Sequence, residues 1–294
     1  MKLALFGRKM EGCNLKKVAL LIGRLSEKKG VELCYGRSFY NQLKNSVKSL
    51  PKGSFFTTSE DLPADVELFL SLGGDGTFLE SLTLVRNRNI PIAGINFGRL
   101  GFLTTARVDG ADDGWIDKLL GSDYIIEERT VLSLRTKGLP EGFYPYALNE
   151  ITIQRSSPVM LEIEISIDGN YLPKYWADGI LIASATGSTA YSLSIGGPIV
   201  TPDSRVLIIA PIAPHNLNVR PLIVPETSVI EVSYASRHSQ ALVTVDNRSF
   251  TIHQGEKVMI SKGGFTLKSI SVNNNFIAAL NQKLLWGEDK RNEH

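Results

Sequence analysis

Residues 66–77 read Val66-Glu67-Leu68-Phe69-Leu70-Ser71-Leu72-Gly73-Gly74-Asp75-Gly76-Thr77, an apolar run that stops at glycines clustered around one acid. The run predicts a buried strand, and the apolar-periodic stretch from Thr77 to Val85 predicts a helix straight after it. Strand, glycine turn and helix in that order form the repeating unit of a helix-covered, mostly parallel sheet. The alternation continues outward. Upstream, Leu3 to Phe6 and Val18 to Ile22 are apolar runs whose strand or helix character stays open, and Phe39, Leu43, Val47 and Leu50 recur with a helical period. Downstream, Pro91 to Asn96 is a further apolar run closed by glycines. The first part of the chain is therefore expected to be α/β.

From about Tyr124 the rhythm changes. Glu162 to Ile167 alternates with period two and runs into Asp168-Gly169, a hairpin signal. Strand-like runs follow at Gly179–Ala183, Val206–Ala210, Val229–Tyr234, Ala241–Asp246 and Lys257–Ile260, with turns at short intervals. This predicts a β-sandwich over 124–273. The preceding domain spans 1–123 and is completed by 274–294, where Phe276 to Trp286 has a helical period. A length of 294 residues suits two such domains.

Composition narrows the function. Net charge is only +2 and no basic run occurs, which argues against nucleic acid as the partner. No apolar stretch is long enough for a membrane span, and the order of residues near Met1 is wrong for a signal peptide. The two cysteines, Cys13 and Cys34, lack metal-ligand spacing and suit a reducing compartment, so a cytoplasmic location is expected.

The glycines at 73, 74 and 76 let backbone approach an anion, and the following helix N-terminus favours negative charge. The alternative is a plain strand–helix turn in which Asp75 only caps the helix. Neither a P-loop nor the glycine spacing of a dinucleotide fingerprint is present. Asn149-Glu150 opens a β run and, taken alone, reads as readily as a surface turn. Trp176-Ala177-Asp178-Gly179 precedes a buried strand, after which Ala185 to Pro198 is dense in small hydroxyl residues and glycine. Such a run offers donors without bulk, as a ribose or phosphate requires. Its plain alternative is a Ser/Thr-capped helix with a glycine C-cap.

Taken together, these features resemble the NAD kinase family. The matching residues are Gly73 to Thr77, Asn96-Phe97-Gly98-Arg99-Leu100-Gly101-Phe102-Leu103, Glu128-Arg129, Asn149-Glu150, Asp178-Gly179, Thr186 to Ser194, and Pro214-His215 through Arg220-Pro221. They cover residues 66–286 in the family's order. The Gly-Gly-Asp-Gly element alone is shared with diacylglycerol and sphingosine kinases and with 6-phosphofructokinases. The Asn-Glu pair and the Thr-Gly-Ser-Thr-Ala-Tyr-Ser run narrow the match.

The resemblance implies a Rossmann-like α/β domain, a C-terminal β-sandwich that binds NAD, and a homodimer or homotetramer. It implies transfer of the terminal phosphoryl group of ATP to the 2′-hydroxyl of the adenosine ribose of NAD. A divalent cation, magnesium being expected, would assist without a dedicated protein cage. Asp75 matches the residue that takes the hydroxyl proton, and Gly73, Gly74 and Gly76 match the phosphate loop. Asp75, Gly76, Asn149, Glu150, Asp178, Thr186, Thr189, Ala190, Tyr191, Ser192, Leu193 and Ser194 match positions that contact NAD. Three positions depart from the family pattern: Trp176, where a basic or small residue is common and which bears on NAD against NADH; Glu80 in place of an arginine; and Arg248 in place of an amide.

Two other readings compete. A lipid or sugar-alcohol kinase would share the glycine loop, but a lipid substrate calls for an apolar gorge that the sequence does not show. A silent dinucleotide-binding regulator would be expected to lack the base, and Asp75 is present. The histidines 215, 238, 253 and 294 share no ligand spacing. Trp115 and Trp286 read as core, and Arg99, Lys174 and Arg220 read first as surface charges.

Overall fold

A computed structural model describes residues 1–10, 13–47, 49–98, 101–104, 106–108, 114–272 and 276–284. The chain divides into two compact units, Met1–Glu127 together with the chain from Lys268 on, and Glu128–Leu267.

In the first unit five strands pair in parallel in the order Ser54–Phe56, Glu32–Gly36, Lys2–Gly7, Leu68–Leu72, Ile92–Asn96. Ser269, near the end of the long strand Val258–Ser271, pairs with Ile92 on the outer side. Numbered along the chain, the five run 3-2-1-4-5, so the order reverses between Lys2–Gly7 and Leu68–Leu72. In open α/β sheets ligands bind outside the carboxyl ends of the strands at such a reversal. The helices Cys13–Glu27, Arg37–Lys44 and Asp75–Val85 follow individual strands.

The open reading of Val18 to Ile22 resolves as helix. Val18, Leu21, Ile22 and Leu25 are all buried at i, i+3, i+4 and i+7, and they pack with Leu3, Leu5, Leu68 and Leu70. The helix expected over 39–50 ends sooner, at Lys44. Asn45 caps it, and the N–H groups of Ser46 and Val47 both turn back onto the Leu43 carbonyl. The strands Glu32–Gly36 and Ser54–Phe56 are not apparent from periodicity, whereas the helix Gly114–Leu120 buries Trp115 as its helical pattern predicts.

The second unit is antiparallel. One sheet runs Leu222–Pro225, Val206–Ile212, Gly179–Ser184, Glu150–Arg155, Gln240–Val245, Arg248–His253. A second group joins Leu161–Ile167 to Ile230–Ala235, and the latter pairs with the start of Val258–Ser271. Ile151, Ile153, Ile180, Ile182 and Val243 from the first meet Ile163, Ile165, Ile230, Val232 and Ile260 from the second in one core. This is the sandwich arrangement. Asp168-Gly169 forms the expected two-residue turn, with φ of 51° and 82° and Ile167 paired to Asn170. The strand expected at Lys257–Ile260 is far longer, 14 residues. The helix Phe276–Leu284 lies within the first unit, whereas Trp286, His294 and the charged tail from Glu288 fall outside the described residues.

Candidate active site

The glycine loop leaves the carboxyl end of Leu68–Leu72, beside the reversal of strand order. Its three glycines are not equivalent. A Cβ on Gly73 would collide with the Thr77 side chain, so packing demands glycine there. Gly74 has an ordinary extended backbone, φ −88° and ψ −171°, and a Cβ on it would meet nothing nearer than Asn96 Nδ2 at 4.0 Å. A Cβ on Gly76 would find Arg8 Nη1 at 3.5 Å. Neither the backbone nor the neighbours require glycine at 74 or 76.

Asp75 does not cap the helix. The N-cap is Gly74, no side chain closes that end, and Asp75 is the first helical residue. Its carboxylate instead accepts the backbone N–H of Phe102 at 2.8 Å on Oδ2 and that of Leu103 at 3.1 Å on Oδ1. Gly101 permits this, because a Cβ there would overlap the carboxylate. The motif residues 101–103 thus serve as a cradle for Asp75. Each carboxylate oxygen keeps a lone pair beyond its single N–H bond, and the side chain is half-buried. Arg99, in the same motif, lies outside the described residues.

Glu80, the departure from arginine, accepts from Nε of Arg8. The partner brings its guanidinium up to Gly76, so a cation stands beside the loop despite the acid at position 80. Arg8, Lys9, Ser38, Gln42, Asn45 and Glu80 line an open cavity of about 760 Å³ at the carboxyl end of Lys2–Gly7. Among the described residues no three His, Cys, Asp or Glu side chains come together.

In the second unit Asn149-Glu150 is not a surface turn. Asn149 is buried, and the Glu150 carboxyl has one oxygen, Oε2, that is buried and without a hydrogen-bond partner among the described residues. What holds the pair is Asp246, whose role the sequence did not disclose. Asp246 stands at φ 51° in the turn between Gln240–Val245 and Arg248–His253, and its buried carboxylate accepts N–H groups from Leu148 at 2.8 Å, Asn149 at 2.9 Å and Glu150 at 3.2 Å. Arg248 donates to the carbonyls of Tyr144 at 2.8 Å and Tyr146 at 2.6 Å and stands 3.9 Å from Asp246. The departure at 248 is therefore part of this framework.

The hydroxyl-rich run closes on the same pair. Gly187 lies directly on the Asn149 backbone, where a Cβ would collide, and the Tyr191 N–H donates to the Glu150 carboxyl. Thr186 to Thr189 is a 3₁₀ turn and Tyr191 to Ser194 a single helical turn, neither with a side-chain cap. The capped-helix alternative fails on this point, although Gly196 at φ 83° does end the turn. The Thr186 and Ser192 hydroxyls are buried without partners among the described residues, whereas Ser188 is occupied with the Val200 backbone. Tyr191 is exposed, with Thr189, Ala190 and Leu193 half-buried beside it and Ser194 exposed.

Asp178 stands apart. Gly179 pairs with Gln154, and Ala183 with Glu150, so Asp178 is at the far end of that strand pair, roughly 17 Å along it. There it forms a two-point pair with Arg155, at 2.9 and 3.0 Å. Trp176 is 47% exposed, and its N–H donates to Asn216 Oδ1. Lys174 pairs with Glu162 and Glu164, and Arg220 donates to the carbonyls of Leu217 and Val219, so both act locally. Cys34 is buried in a strand, and burial raises its thiol pKa, as befits an inert residue.

Burial and the nearby Asp246 push the Glu150 carboxyl up to about 8 from the usual 4.5. Between those values the folded protein holds a proton that the unfolded chain has released. The contribution of Glu150 to stability is thus full below pH 4.5 and lost as pH rises through about 8. Glu150→Gln should flatten this dependence, gaining on the wild type between pH 5 and 8.5 in thermal melts. Parallel melting curves for the two proteins across that range would refute the assignment.

Family models match both parts of the chain: the ATP-NAD kinase N-terminal domain over residues 16–123 and the ATP-NAD kinase C-terminal domain over 148–272. An NAD kinase of Flavobacterium psychrophilum is 39% identical across 99% of this chain and 100% of its own length. One from Cytophaga hutchinsonii is 40% identical across 98% and 99%. Among solved structures, an NAD kinase from Archaeoglobus fulgidus in complex with ATP matches with a TM-score of 0.73 at 26% identity, covering 97% of this chain and 99% of that one. A yeast NADH kinase complexed with NADH matches in fold with a TM-score of 0.89 at 24% identity, covering 100% and 90%.

Proposed function

The chain belongs to the NAD kinase family, and from that premise we propose how its residues phosphorylate NAD with ATP as donor. The first unit acts as the phosphate-handling domain and the second as the NAD-binding domain. The observation that carries the assignment is the loop at 73–76. Two of its glycines are required by no described neighbour, and they flank a carboxylate held in place by two N–H groups. Polyphosphate oxygens approach the backbone at Gly74 and Gly76, and Asp75 takes the proton from the 2′-hydroxyl of the adenosine ribose. A secondary hydroxyl is a weak nucleophile, so a positioned acceptor aids attack on the terminal phosphorus. The remaining demand is alignment and charge neutralisation.

Asn149 and Glu150 hydrogen-bond NAD, with the partnerless Thr186 and Ser192 hydroxyls as further polar contacts, and residues 189–194 line the dinucleotide. Asp178, engaged with Arg155, serves the opposite end of that surface.

A divalent cation fits this donor set. Magnesium is generally held by substrate phosphates plus one or two carboxylates, and Asp75 offers a half-exposed carboxylate with free lone pairs. The ion would supply neutralisation of phosphate charge. The exposed apolar residues Leu222 and Ile223 on the edge strand Leu222–Pro225 support a homodimer or homotetramer. Among the described residues no helix is long and apolar enough to cross a membrane, and the reading places the enzyme in the cytoplasm.

The test is purified protein with NAD, ATP and magnesium, followed by NADP formation. Turnover should vanish in excess chelator and return when magnesium is restored. Undiminished turnover in chelator would remove the cation from the scheme, and no NADP under any condition would remove the scheme itself.

A further inference from the structure

The helix Phe276–Leu284 reads Phe-Ile-Ala-Ala-Leu-Asn-Gln-Lys-Leu. Its inward stripe is Phe276, Ala279 and Leu280, and the next position of that stripe, i+7, is Lys283. A lysine here breaks the apolar pattern without moving to the surface. Its Nζ is buried and has no hydrogen-bond partner among the described residues. It sits 3.8 Å above the centre of the Phe102 ring, a favourable seat for a cation. Phe102 is also the residue whose N–H holds Asp75, and Phe276 packs on the same ring at 6.3 Å. The charged group that the ammonium faces among the described residues is Asp75, with Phe102 as its other neighbour.

An ammonium carries three donors and no acceptor, so burying one with all three unmet is costly unless an anion completes it. If Asp75 takes the proton from the attacking hydroxyl, the phosphoryl group that hydroxyl attacks must come within a few ångströms of the same carboxylate. We infer that Lys283 is a phosphate-binding residue of this centre, its ammonium donating to oxygens of the phosphoryl group in transfer. This rests on the assignment of Asp75 as the base. It assigns to the C-terminal helix a direct part in binding ATP rather than a purely packing one.

Burial lowers the Lys283 ammonium to about 8, and Asp75 opposes that shift. The charge is therefore present at neutral pH and is lost as pH rises through about 8. An arginine keeps its charge throughout that range.

The experiment compares wild type, Lys283→Met and Lys283→Arg, with Asp75→Asn as the control for the underlying reading. Steady-state kinetics with magnesium ATP and NAD are measured from pH 6.5 to 9.5, with ATP binding followed by calorimetry. Lys283→Met should raise KM for ATP by about tenfold or more, the scale of one lost charge-assisted hydrogen bond, and leave KM for NAD unchanged. Wild type should lose ATP affinity above pH 8, and Lys283→Arg should bind ATP without that alkaline loss. Glu150 titrates in the same range but bears on NAD, so the two effects separate by substrate. Should Lys283→Met fold poorly, the alkaline limb of Lys283→Arg decides alone. Unchanged ATP parameters in Lys283→Met, or an alkaline limb kept intact in Lys283→Arg, would overturn the inference. A wild type that makes NADP while Asp75→Asn is equally active would instead overturn the premise.

Discussion

Asp75→Asn is expected to give a folded protein that binds NAD and makes NADP about 10²–10⁴-fold more slowly, the usual value of a positioned general base. The amide keeps the size of the carboxylate and one acceptor oxygen, so one of the N–H groups of Phe102 and Leu103 stays bonded. The other faces an NH₂ group and loses its partner. At a half-buried site this costs about 1 kcal/mol. Capping does not enter, since Gly74 rather than Asp75 ends the helix. A small loss in urea-unfolding stability should therefore accompany a very large loss in kcat. The opposite pattern, turnover within a few-fold of wild type and the same small stability loss, would reduce Asp75 to an anchor for the loop at 101–103.

Asp246→Ala should be the most damaging single change in the second unit. It strands the N–H groups of Leu148, Asn149 and Glu150, each costing about 1–3 kcal/mol when left buried and unpaired. It also places alanine at φ 51°, adding about 1 kcal/mol. Removal of a buried carboxyl close to Glu150 offsets part of this, because burial already disfavours the Asp246 charge. The net expected loss is about 3 kcal/mol of unfolding free energy, with weaker NAD binding because the Asn149-Glu150 backbone loses its anchor. Asp246→Asn, which tolerates the left-handed conformation, should fall between the two. A loss below about 1 kcal/mol in Asp246→Ala would mean that the three N–H groups find water, contrary to the burial described.

What could be read from the sequence was what lies close together along the chain. The strand, glycine turn and helix of residues 66–85 are contiguous signals, as are the two-residue turn at Asp168-Gly169 and the alternation of Leu161–Ile167. The helix over Val18–Ile22 stayed open because five residues are too few to display a 3.6-residue period; Leu25 completes it. The short strand Ser54–Phe56 carries too little pattern to stand out.

The site divides the same way. The glycine loop, the Asn-Glu pair and the hydroxyl run were visible as motifs, but their supports were not. Asp246 reaches residues 96 to 98 positions away, and Arg8 meets Glu80 across 72. No local rule encodes such pairings. Lys283 is visible in the sequence as a charge in an apolar stripe, but nothing along the chain tells which distant residue it faces.

The strand Val258–Ser271 leaves the second unit and ends in the first, where Ser269 pairs with Ile92. During synthesis its last residues, Lys268 to Ser271, emerge only after every residue of Glu128–Leu267 has been made. The first unit must wait with the outer side of Ile92 unpaired until the second has left the ribosome, although Ile95 and Asn96 on the same side already pair with Ala106 and Arg107. The helix that carries Lys283 comes later still. On the reading given above, a nascent chain would possess Asp75 and its glycines long before it possesses the ammonium that faces Asp75. The order of translation would then leave an unfinished enzyme with a weaker hold on ATP.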